Sequence, residues 1–254
     1  MVPKLKFGVI NFDGMIKMIN SFLLHSGNGF DWSGVYAKEY PEFGKLMGKI
    51  HTSEETKRLS EDFFRNIYDS RIGELTKISK DFQKEWDKNG EELLIALSKV
   101  VEKEWPADCK EIKAWISLNP ICPRFLEKRA FDLYWRFSPD KMKVVALHEI
   151  LHFIWFEKWK EIFPKYRKEE FENPHLVWKL SEMVPLSVLN DNRIQDIFKH
   201  EPSVYNEWKF KQIERKPLLE HLQEIYNKRS SFADFMKKSW KFVKKHEKEI
   251  HSIK

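Results

Sequence analysis

The spacing of hydrophobic positions changes along this chain, and the change divides it. From residue 52 onward Leu59, Phe63, Phe64 and Ile67 recur at helical intervals behind "TSEE", where Thr52 is the N-cap and Glu55 the capping-box residue. The spacing predicts a helix to about residue 70 and another over about 72–88, stopped by Asn89-Gly90. A third is expected over 91–105, carrying Leu94, Leu97 and Val101 and ended by Pro106. Residues 52–105 are thus expected to form a helical bundle. The first fifty residues are expected to be irregular, with amphipathic segments near 15–24 and 40–50 around a loop, "HSGNGFDWSG", at 25–34.

After Pro106 the period becomes two. Ile112, Ala114, Ile116 and Leu118 alternate with Lys113, Trp115 and Ser117. Phe131, Leu133, Trp135 and Phe137 alternate with Asp132, Tyr134 and Arg136. Two strands are predicted, joined by a loop through Pro120 and Pro123, so a small sheet comes before the next helix. The fold class expected is α+β, mainly α. Residues 1–105 form a mostly helical N-terminal region and 106–254 a second region with a helical C-terminus, or the two form one integrated domain.

Ser138-Pro139-Asp140 is a strong helix start: a hydroxyl N-cap, a proline at the first position and a carboxylate at the positive end of the dipole. Pro164 stops that helix, so it is expected to end near residue 163. Inside it lies "VVALHEILHFIWF", residues 144–156. His148 and His152 are one turn apart, roughly 6 Å along the axis, so both imidazoles can address one ion. Glu149 sits roughly 100° round the helix from His148, outside that ligand position but within reach of a water on the ion. The plain alternative is a buried helix whose histidines are satisfied by neighbours. Against it stands Glu149, the sole charge in the stretch, because an uncompensated buried carboxylate is costly.

"VALHEILHFI" resembles the active-site helix of the zincin metallopeptidases, and its uncharged positions Val145, Ala146, Ile150, Leu151, Phe153 and Ile154 also match that family's extended pattern. The resemblance is strict over about ten residues, and the order strand, strand, helix extends it over roughly 111–200. It implies a zincin-like domain holding Zn2+ on His148 and His152, with Glu149 as general base for peptide hydrolysis. It also implies an extended peptide or protein substrate bound along the strand at 131–137.

A catalytic zinc takes three protein ligands and keeps one position open. The metzincin continuation fails, since Trp155 and Lys158 stand where a glycine and a third histidine belong. A gluzincin-like site asks instead for a glutamate on a following helix, and "NPHLVWKLSEMVPLSVLND" supplies Glu182 among Leu180, Met183 and Val184. Asn173 and Pro174 are expected to open that helix, and Pro185 to kink it. The second-shell aspartate common in the family is replaced by Leu186, leaving Asn190 or Asp191 to orient a histidine. His175 is a rival ligand; so are Asp191 with Asp196, and Cys122 in the manner of peptide deformylases. Tyr205, His200 and His175 are candidate oxyanion donors.

Composition changes this picture little. A chain of 254 residues with 42% hydrophobic content can bury a sizeable core. No apolar run approaches the roughly 18–20 residues of a membrane span, and polar residues interrupt the N-terminal segment, so a cytoplasmic protein with no membrane partner is expected. Cys109 and Cys122 are too few for a disulfide framework. The formal charge is +6, densest in "KKSWKFVKKHEKEIHSIK", where Trp240 and Phe242 interleave with lysines. That tail leaves open a second class of function: a non-proteolytic zincin-scaffold binding or regulatory protein, associated with nucleic acid.

Overall fold

The computed structural model describes residues 1–24, 32–48 and 52–252. The chain is mainly helical with a small mixed sheet, and it forms two compact units. One comprises residues 5–88 and 111–142; the other comprises 1–4, 89–110 and 143–254. The units therefore interleave along the sequence rather than dividing it near residue 106.

In the first unit the sheet has the order β1 (Lys4–Val9), β2 (Glu111–Ser117), β4 (Ala130–Tyr134), β3 (Arg124–Phe125). β2 and β4 run parallel, in register from Lys113 opposite Ala130 to Ser117 opposite Tyr134, whereas β3 pairs antiparallel to β4. The Lys4 N–H donates to the Lys110 carbonyl and the Ile10 N–H to the Ile116 carbonyl, so β1 and β2 advance together as a parallel pair does. Gly8 is required beside Trp115, because a Cβ there would lie 2.7 Å from the indole.

The N-terminus is not irregular: β1 is followed by α1 (Phe12–Leu24), α2 (Trp32–Glu39) and α3 (Pro41–Met47), of which α1 and α3 coincide with the amphipathic segments expected near 15–24 and 40–50. The strand's alternation of Lys4 and Lys6 with Leu5 and Phe7 is short enough to pass for a basic leader. Of the predicted loop at 25–34, Trp32, Ser33 and Gly34 belong to α2; residues 25–31 lie outside the described residues, as do 49–51. The helices expected to 70 and from 72 are one helix, α4 (Ser53–Trp86), about 50 Å long. Thr52 and Glu55 form the capping box at its start. Nothing at 69–71 forbids the helix: these residues are exposed, and the Ser70 hydroxyl folds back onto the Ile67 carbonyl. Gln83 of α4 then covers the edge strand as another strand would, accepting from the Phe7 N–H at 3.0 Å and donating to the Leu5 carbonyl at 3.1 Å.

The third expected helix is α5 (Gly90–Val101), ended not by Pro106 but by Glu102 in the left-handed region. It belongs to the other unit, where it packs on α9 (Asn192–Phe198), so residues 52–105 are not a bundle. The nearly buried Lys158 fastens its end, donating to the Glu102 carbonyl at 3.0 Å. Lys158 lies on α6 (Pro139–Ile162), the expected helix within a residue at each end, with the Ser138 hydroxyl accepting from the Lys141 N–H. The remaining helices are α7 (Leu176–Met183), α8 (Pro185–Leu189), α10 (Asn206–Phe210), α11 (Leu218–Asn227), α12 (Phe232–Lys245) and α13 (Glu247–His251). The β5 (Gln212–Ile213) and β6 (Lys216–Pro217) hairpin lies between α10 and α11. Among the described residues no helix is long and apolar enough to cross a membrane.

β4 departs from expectation in its surroundings. Its residues are buried on both faces, and it is an interior strand, with β2 on one side and β3 and Pro123 on the other. Phe131 to Phe137 is therefore not an open edge for a peptide, and Asp132, placed on a polar face by the alternation, is fully buried. Among the described residues neither Asp132 carboxylate oxygen has a hydrogen-bond partner. Burial pushes its carboxyl up to about 8 from an ordinary 3.8, so the fold holds it neutral. The folded state then binds more protons than the unfolded state between these values, so stability falls as pH rises from about 4 to about 8 and levels off above. By pH 8 the loss is on the order of 5 kcal/mol. Asp132→Asn mimics the neutral acid and is expected to flatten that dependence, giving a higher urea midpoint than the parent at pH 8 and a similar one at pH 4. Parallel midpoint curves for the two proteins would refute this.

Candidate metal centre

α6 is buried nearly all the way round from Met142 to Trp159, so it is a central helix rather than an amphipathic one. This explains why residues 144–156 carry so little charge. His148, Glu149 and His152 are 8%, 9% and 0% exposed. The two imidazole rings lie 4.8 Å apart at 70°, and His152 also stacks on Phe156, which stacks on Phe171.

The third residue comes from α7. Every residue of this helix is buried, Glu182 at 4% exposure. It begins at Leu176 with His175 as N-cap, two residues after the expected Pro174. It ends at Met183; Pro185 opens α8 rather than kinking α7. Two carboxylate oxygens of Glu182 face two ring nitrogens: Oε2 is 3.1 Å from His148 Nε2, and Oε1 is 3.3 Å from His152 Nε2. Donor atoms of the three residues all lie within 4.8 Å of one another. Among the described residues this is the only such convergence of three His, Cys, Asp or Glu side chains.

Two imidazole nitrogens and a carboxylate, dry and converging, form a donor set that suits a borderline divalent transition ion. Glu149, one residue after His148, is the only acidic residue between Asp140 and Glu157. It shares the buried helix without belonging to the converging trio.

The rivals lie elsewhere. His175 is exposed at the start of α7, and Asp196 is exposed on α9. Cys109 is buried and Cys122 half-buried, with no disulfide between them. Asp191 does not orient a histidine. It caps α9 and binds Arg193, Arg229 and the Tyr226 hydroxyl, and the Arg193 guanidinium first of all holds its carboxyl well below the usual range. Asn190 is exposed at the end of α8. Of the expected oxyanion donors, Tyr205 packs on Trp208, which packs on Trp178 of α7, and His200 packs on Phe198; the structure brings neither into the trio.

The sequence reading missed Lys179, one turn from Glu182. It is 6% exposed, and its Nζ donates to the Ile250 carbonyl of α13 at 3.1 Å. Burial holds its ammonium below the ordinary lysine range. Its signal was its position between Trp178 and Leu180 on a helix with no polar side.

No family model, curated protein or solved structure matches this chain. Chelator-stripped protein is expected to bind one divalent transition ion per chain in a calorimetric titration. Glu182→Gln and His152→Ala should each weaken binding by more than the roughly 10–100-fold that losing an outer-shell partner costs. Equal affinities in parent and variants would rule out these ligands.

Proposed function

We propose that the chain is a zinc-dependent metallopeptidase of gluzincin-like type, with His148, His152 and Glu182 as the metal ligands and Glu149 as general base. The convergence of two Nε2 atoms and one carboxylate, with donor atoms within 4.8 Å, carries this reading. The His-Glu-x-x-His spacing on a single helix supports it, because that spacing leaves the glutamate beside the ligands but not among them.

Zinc, when bound there, supplies a Lewis acid that polarises a carbonyl and acidifies water. The protein's own groups do the rest. His148 and His152, fixed on a rigid buried helix, present neutral imidazole nitrogens. Glu182 contributes a negative charge that offsets part of the ion's charge in a site from which water is largely excluded. Glu149 takes the proton of the attacking water at a carboxylate oxygen and delivers it to the leaving amine as the peptide bond breaks. The substrate class is a peptide or protein.

Glu149→Gln preserves shape and removes the base. We expect the purified variant to keep the parent's zinc content by metal analysis and to lose roughly 10²–10⁴-fold in cleavage of a fluorogenic peptide mixture. Undiminished cleavage by this variant would exclude the general-base role; absence of zinc from the parent, prepared without chelator, would exclude the metal.

A further inference from the structure

The charge excess is confined to one part of the chain. Residues 1–205 hold thirty-two Lys and Arg against thirty-two Asp and Glu, whereas 206–254 hold thirteen against seven, so the whole +6 lies in the last segment. On α12, Lys237, Lys241 and Lys244 are four and three residues apart and form one row on the solvent side. Lys248, on α13, continues the spacing past the single non-helical residue His246. Among the described residues none of these four forms an ion pair, whereas Lys238 and Lys245 beside them are neutralised by Asp234 and Glu214 at 2.7 Å.

The row continues onto another element. One turn after Lys248, Ser252 accepts a hydrogen bond from Lys211 Nζ at 3.2 Å, which brings Lys211 to the end of the row. Next to Lys211 in the chain stands Phe210, 75% exposed, between two lysines. The aromatics that the sequence interleaves with lysine are engaged within the protein. Trp240 is buried with its indole N–H donating to the Tyr166 hydroxyl, and Phe242 packs between His221 and His246.

We propose that this row, ending at Phe210, is a docking site for single-stranded nucleic acid. A positive row that tracks phosphates and an aromatic face on which an unpaired base stacks are the two elements of such sites. The four lysines span about 16 Å of helix, the rise of about five stacked nucleotides. A duplex conceals its base faces and would leave Phe210 without a partner. A membrane surface fits less well, because a helix lying in the interface inserts an apolar face. That of α12, with Phe235, Met236 and Val243, is already buried in the protein. The row lies on the side of α12 away from its packing against α7, so the site is separate from the metal centre and does not rest on the peptidase reading.

The test uses the full chain, a labelled 15-nucleotide single strand, the matching duplex, and vesicles of neutral or phosphatidylserine-containing lipid. The single strand should bind at low salt with a log–log salt slope of about −3, from four or five phosphates. The double variant K241E/K244E should lower affinity at least tenfold and flatten the slope. Phe210→Ala should cost roughly ten- to a hundredfold with the slope unchanged. All these positions are exposed, and thermal melts matching the parent's establish that the variants are folded. Glu182→Gln should bind the single strand like the parent, which separates this result from that of the metal centre. Equal or tighter binding to duplex or to anionic vesicles, or variants indistinguishable from the parent, would overturn the proposal.

Discussion

One carboxylate set against two imidazoles governs the unit that holds it. A buried, uncompensated charge costs several kcal/mol, and removing one partner of a buried pair is more damaging than replacing the whole pair. Glu182 is 4% exposed on a helix with no exposed residue, and His152 is fully buried on a helix covered on every side. α6 and α7 bring these three polar side chains together, so none of them is set alone in an apolar interior. A proton shared among them or a divalent ion held by them satisfies the same constraint, so the requirements of packing and of chemistry coincide at one point.

Two buried lysines of this unit have a structural task. Lys158 donates to the last turn of α5 and Lys179 to the end of α13, each meeting carbonyls that a helix terminus leaves without an intrahelical partner. Asp191 gathers two arginines and a tyrosine at the start of α9. Such contacts couple separate elements where an apolar contact would allow sliding. Lys179 in particular ties α7 to the last described helix, so the position of Glu182 depends on residues nearly seventy positions away.

Local signals were legible in the sequence, and long-range pairing was not. Ser138-Pro139 and Pro164 set α6 to within a residue, and the Thr52–Glu55 capping box marked the start of α4, because a cap is chemistry among near neighbours. The converging trio was legible too: the spacing of His148 and His152 is a property of the helix, and Glu182 stood out as the lone carboxylate in an apolar segment. Hidden were the role of β1, whose partner lies a hundred residues away, and the depth of Asp132, which depends on β4 having neighbours on both sides. Asp191 was misplaced for a related reason. A carboxylate near a metal motif suggests a histidine partner, but its actual partners, Arg229 and Tyr226, come from a segment with no motif to announce them.

The interleaving of the two units has a consequence for how the protein is made. The chain passes between them after residues 4, 88, 110 and 142, so α5 is synthesised in the middle of the other unit's sequence. Its apolar positions Leu93, Leu94, Leu97 and Val100 are buried in the finished protein, and the helix it packs on, α9, is about ninety residues further along. At ribosomal rates of roughly 5–20 residues per second, that apolar face waits some 5–20 seconds for its partner. A newly made chain therefore carries a sticky helix through the middle of its synthesis, and a holding chaperone is most useful to it during that interval.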